Sequence, residues 1–75
     1  MKYVFIDGFE FVAEDATEVC TVLWHSMKFN LHPSLQSWME ANAKIMKEVQ
    51  GAVLRTDSPE HHVDDMLAAG VLKTL

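Results

Sequence analysis

The first twelve residues, MKYVFIDGFEFV, constrain the fold more than any other stretch of the chain. Two runs rich in aromatic and β-branched residues flank Asp7 and Gly8, the pattern of a β-hairpin with a two-residue type I′ turn. With that loop Ile6 pairs with Phe9 and Val4 faces Phe11. One hairpin face then carries Val4, Ile6, Phe9 and Phe11, and the other carries Tyr3, Phe5, Glu10 and Val12. Both faces are strongly apolar, so at least one needs cover. A chain of 75 residues has room for one layer of helices over one small sheet.

The cover is legible from punctuation and periodicity. In EDATEVCTVLWHSMKF, Asp15 stands three residues before Glu18, the spacing of a capping box. Ala16, Val19, Cys20, Leu23 and Met27 then recur at helical spacing, with Glu18, Thr21, His25 and Lys28 opposite. A second helix is predicted from about Ser34 to Gln50, capped by Ser34 and stopped by Gly51. Its stripe is Leu35, Trp38, Met39, Asn42, Ile45, Met46 and Val49. Leu35, Asn42 and Val49 lie seven apart, but two heptads are too few for a coiled coil. Asn42 is expected at the edge of the stripe or bonded to backbone.

After Gly51 the run AVLRT reads as a short third strand. Ser58, Pro59 and Glu60 then form a helix start, with the hydroxyl capping, proline at the first helical position and a carboxylate at the positive end. His62, Val63, Met66 and Leu67 share one side of this helix, and Gly70 ends it. The tail VLKTL adds an edge strand or packs down. The expectation is a single α+β domain over residues 1–75 in the order β-β-α-α-β-α, with three helices mainly on one face of a mostly antiparallel sheet.

Charge narrows the function classes. Six Lys plus Arg against eleven Asp plus Glu give a formal net charge of −5, which weighs against binding nucleic acid. The middle of the chain is less acidic, and Lys28, Lys44, Lys47 and Arg55 are the basic stripe that a nucleic-acid-associated regulator would use. No apolar run is long enough to cross a bilayer. The lone Cys20 and a start unlike a secretory signal point to the cytoplasm.

The stretch RTDSPEHHVDDM invites a catalytic or metal-binding reading, because it sets two histidines among acidic side chains. On a helix, however, His61 and His62 diverge by about 100° and do not grip one ion. His61 and Asp65 are four apart and could share a ligand, which makes a metal-binding protein the second alternative; two ligands fall short of a zinc site. The favoured reading is an exposed His61 beside an acidic neighbour and a half-buried His62 with one backbone hydrogen bond. Cys20 lies in an apolar stripe, where a thiol is inert. With no phosphate loop, nucleophile elbow, CxxC or HExxH, the chain reads as no enzyme, with no cofactor and no small-molecule substrate.

Leu23-Trp24, SLQSWME at Ser34 to Glu40, and above all VLRTDSPEHHVDDMLAAGVL at Val53 to Leu72 resemble a type of short protein encoded by bacteriophages and prophages. There a strand leading to an arginine, TDSPE, an acidic residue before an apolar pair, and a final AG with leucine recur in this order. The chain departs from that pattern at His62, where such proteins carry an aromatic residue, and in its longer apolar hairpin. No activity is assigned to these proteins, so the resemblance implies a phage or prophage context and no site residues.

These readings leave protein binding as the expected function, with a second copy of the chain as one candidate partner. If helices cover the side holding Val4, Ile6, Phe9 and Phe11, then Tyr3, Phe5 and Val12 stay exposed, and exposed apolar patches mark interfaces. Trp24 and Trp38 flank the helical stripes as further interface anchors.

Overall fold

The computed structural model of the protein describes residues 1–26 and 32–75; the expected stripe position Met27 and the basic Lys28 lie outside the described residues. The N-terminal hairpin forms from β1 (Lys2–Phe5) and β2 (Glu10–Val12), but with a different register from the one expected. Lys2 pairs with Val12, Tyr3 with Phe11 and Val4 with Glu10. A type I′ turn needs positive φ at both loop residues, and here only Gly8 has it, at 91°. The turn instead closes one residue wider, with Gly8 N–H donating to Phe5 O at 2.8 Å and Phe5 N–H to Phe9 O at 2.9 Å. Asp7 keeps a negative φ and accepts the Phe9 N–H on Oδ1 at 2.9 Å.

That wider turn changes which side chains share a face, because side chains alternate along a strand. Tyr3 and Phe5 now lie on the same face as Phe11, and the stacked pairs Tyr3–Phe11 and Phe9–Phe11 each have centroids 5.6 Å apart. Gathering the aromatic rings buries more area than mixing them with Val4 and Ile6 would. The expectation that Phe5 is exposed is therefore overturned: Phe5 and Phe11 are core residues, and Tyr3 packs against them. Of the three hairpin residues expected at an interface, Val12 alone faces solvent freely.

The first two helices start where their caps predict, and the second stops at its predicted glycine. In α1 (Ala16–Ser26), Asp15 accepts the Glu18 N–H at 2.8 Å. Glu18 reaches back to the Glu14 N–H at 3.0 Å, so the box closes one residue earlier than usual. In α2 (Leu35–Gln50), the Ser34 hydroxyl accepts the Ser37 N–H, and Gly51 ends the helix in the left-handed conformation at φ 68°. Val19, Cys20 and Leu23 from α1 and Trp38, Met39, Asn42 and Met46 from α2 are buried. Ile45 and Val49, expected in the α2 stripe, are exposed instead.

The third helix, α3 (Pro59–Ala69), is capped by Ser58, whose hydroxyl accepts the His61 N–H, and is ended by Gly70. It buries His62, Val63 and Met66; Leu67, expected with them, is partly exposed. The third strand, β3 (Leu72–Thr74), comes from the tail and pairs antiparallel with β1, giving the sheet order β2-β1-β3. The fold is α+β with three helices and a three-stranded antiparallel sheet, and the elements follow one another as β-β-α-α-α-β.

Residues 52–56, read from sequence as a strand, belong to no sheet. They are nonetheless strap-like: Ala52 and Leu54 are buried while Val53 and Arg55 are exposed, the alternation of an extended chain. Side chains from the neighbouring helices take the place of a partner strand. Gln36 of α2 donates from Nε2 to Thr56 O at 2.6 Å, and α3 holds both backbone groups of Arg55, as described next.

Candidate functional site

The acidic and histidine-rich motif assembles around Arg55. The Asp65 carboxylate accepts the Arg55 backbone N–H at 2.8 Å, Nε at 3.0 Å and Nη2 at 3.1 Å. A helical carboxylate thus satisfies a donor of the strap and clamps the same residue's guanidinium in a two-pronged pair. These bonds hold the Asp65 carboxyl down at about 2, the Arg55 side chain contributing most and its backbone N–H next. His61 does not meet Asp65. Its Nδ1–H donates to Asp57 at 2.9 Å, and this bond lowers the Asp57 carboxyl below its ordinary range.

His62 turns the other way and is fully enclosed, in place of the half-buried position expected. Its Nδ1 lies 2.8 Å from Arg55 O, and because a carbonyl only accepts, Nδ1 carries the proton. The neutral ring therefore offers a lone pair at Nε2, which accepts from Asn42 Nδ2 at 3.0 Å. Asn42 is buried and bonded to a side chain, in place of the expected stripe edge or backbone partner, and its Nδ2 also approaches Met66 Sδ at 3.6 Å. Trp38 packs edge-on against His62, with centroids 5.7 Å apart. Trp38 Nε1 and Asn42 Oδ1 are buried without a hydrogen-bond partner among the described residues. Burial lowers the His62 imidazole below its ordinary value, against a smaller upward pull from the Arg55 carbonyl and Asp65.

The motif is thus a clasp that ties an extended strap to α2 and α3. Among the described residues no group of three or more His, Cys, Asp and Glu is placed to hold a metal ion, and the His61 and Asp65 pairing of the metal-binding alternative does not form. Cys20 is enclosed, and its thiol is pushed up to about 12, mainly by burial and further by Glu60. Of the basic stripe, Arg55 is clamped by Asp65, Lys44 and Lys47 are exposed on α2, and Lys28 lies outside the described residues. Trp38 is fully buried and Trp24 half-buried against the core, so Trp38 is no surface anchor.

The sequence pattern held a signal for the buried pair. Asn42 is the only polar member of the α2 stripe and His62 of the α3 stripe, and buried polar groups must find partners. Two such intruders on facing helices are each other's nearest solution.

The clasp carries a pH signature. Asp65 is depressed from an ordinary value near 3.9 to about 2, so its contribution to stability is complete above about pH 4 and is lost as pH falls through about 2. Denaturant unfolding of Asp65→Asn against the parent should therefore show a stability gap at pH 5 that closes by pH 2. A gap of constant size across that window would contradict the clamp.

The outer face of the sheet is the remaining surface with organised chemistry. The register sets Lys2, Val4, Glu10, Val12 and Lys73 on it, and Leu75 joins them beside Lys2, to whose carbonyl it donates at 2.8 Å. Val12 is 64% and Leu75 63% exposed, Val4 is half-buried between them, and Lys2 pairs with Glu10 at 3.3 Å. Near its turn end the face borders an open hollow lined by Val4, Ile6, Val71 and Lys73. No described helix is long and apolar enough to cross a membrane. Comparison with protein-family models, with curated proteins and with solved structures finds no match.

Proposed function

We propose that the chain is a non-catalytic accessory protein, of the phage or prophage kind its C-terminal motif resembles, that acts in the cytoplasm by binding a protein through the outer sheet face. One observation carries this reading: the helices lie on the Phe5 and Phe11 side of the sheet, and the opposite side leaves Val12 and Leu75 exposed around Val4. Three aliphatic side chains alternate there with Lys2, Glu10 and Lys73, an apolar centre with a polar rim that suits reversible docking. A second copy of the chain, meeting the same face by two-fold symmetry, is one form of that partner. The motif that looked catalytic supports the same reading, because Asp57, His61, His62 and Asp65 each have an internal partner.

The test is a double substitution, Val12→Lys with Leu75→Lys, which places charge at two exposed positions without touching the core. Sedimentation of the parent chain should show concentration-dependent association, or a tagged parent should retain a protein from host lysate that survives salt washing. The double variant should lose that association while its far-UV dichroism stays unchanged. Association that persists in the variant removes the outer face from consideration.

A further inference from the structure

Cys20 and His62 are the fully enclosed titratable side chains among those described, and only His62 has an ordinary value near neutrality. Its two ring nitrogens bridge three parts of the fold: Nδ1 holds the strap at Arg55 O, Nε2 holds α2 at Asn42, and the ring itself stands on α3. The bridge works for one protonation state. A second proton on Nε2 would set N–H against the Asn42 amide N–H2 at 3.0 Å, two donors facing each other inside the core. Turning the amide over would offer Oδ1 to that proton. It would also strip Nδ2 from Met66 Sδ and leave an enclosed imidazolium with no carboxylate in contact.

The groups around the ring do not relieve this. From α3, Asp65 favours the cation, but its oxygens are engaged with Arg55. From the strap, Arg55 presents its carbonyl to Nδ1 and its charge to Asp65. From α2, Trp38 and Asn42 are neutral, and of the buried α1 residues only Cys20 titrates, far above neutrality. We propose that His62 and Asn42 form an acid-sensitive latch, in which protonation of His62 opens the joint between α2 and α3 and frees the strap over residues 52–56.

The sign follows from the lowered imidazole: the folded joint binds the proton more weakly than the opened one, so the latch is fully closed above about pH 6.5 and weakens as pH falls below it. Hydrogen exchange of the full chain, followed from pH 7.5 to 5 and corrected for intrinsic rates, reads the opening equilibrium directly. For amides of α2, α3 and residues 52–56 that equilibrium should rise as pH falls below 6.5, by at most about tenfold per pH unit. In Asn42→Asp the new carboxylate accepts Nε2–H and holds the cation, so the rise should vanish. A flat response in the parent, or an equal rise in both proteins, overturns the latch. Should Asn42→Asp not fold, imidazole nitrogen spectra of the parent decide the matter. His62 must be the Nδ1–H tautomer at pH 7.5 and must protonate in step with the opening; protonation with no rise in exchange overturns the proposal.

Discussion

Replacing His62 with phenylalanine is expected to lower the unfolding free energy by about 2–4 kcal/mol, because one enclosed and one partly buried polar group each lose a hydrogen-bond partner. Arg55 O would lose the Nδ1 donor and Asn42 Nδ2 would lose the Nε2 acceptor. The ring shape is nearly conserved, so the cost measures unsatisfied groups more than lost packing. The pair can be separated by a cycle. Asn42→Leu with His62→Phe removes the stranded amide together with its partner and should recover at least about 1 kcal/mol relative to the sum of the single changes. Urea unfolding of the four proteins gives the coupling, and additive effects would mean that Asn42 and His62 do not bond.

Trp38→Ala is expected to be the most damaging single substitution, at about 3–5 kcal/mol. Trp38 is fully enclosed and stands where α2 faces His62. In a domain of this size the loss approaches the whole margin of stability. The variant should therefore lose cooperative thermal unfolding, and its helical dichroism should fade gradually with temperature. A cooperative transition displaced by less than about 1 kcal/mol would mean that Trp38 is not at the centre of the core.

Helix ends were readable from single residues, because a cap is a local transaction between a side chain and backbone within a few positions. Asp15 with Glu18, Ser34, Ser58 with Pro59, and the left-handed Gly51 and Gly70 all act as their positions suggest. Elements that depend on what faces them were not readable in the same way. The hairpin turn was set between two closures that differ by one residue, and the aromatic face chose the wider one by burying Phe5 and Phe11 together. The run at residues 52–56 has the alternation of a strand, and alternation cannot say whether the partner is a ladder or a set of side chains. Here Gln36, His62 and Asp65 supply the bonds, and the tail at Leu72–Thr74 takes the place beside β1.

The same division separates the two halves of the candidate site. That His61 and His62 part company follows from helical geometry alone, and so does the inertness of a thiol within an apolar stripe. Which acid each basic group meets was decided by tertiary contacts: Asp57 for His61, Asp65 for Arg55, and an amide for His62. By itself the sequence determined the class of fold, the helix caps and the lack of any known catalytic motif, since these rest on composition and on interactions spanning a turn or less. Only the tertiary structure decided the register, the owner of the third strand and the partners of the motif. Each of those compares burial and hydrogen bonding across elements distant in the chain, where local preference is nearly indifferent.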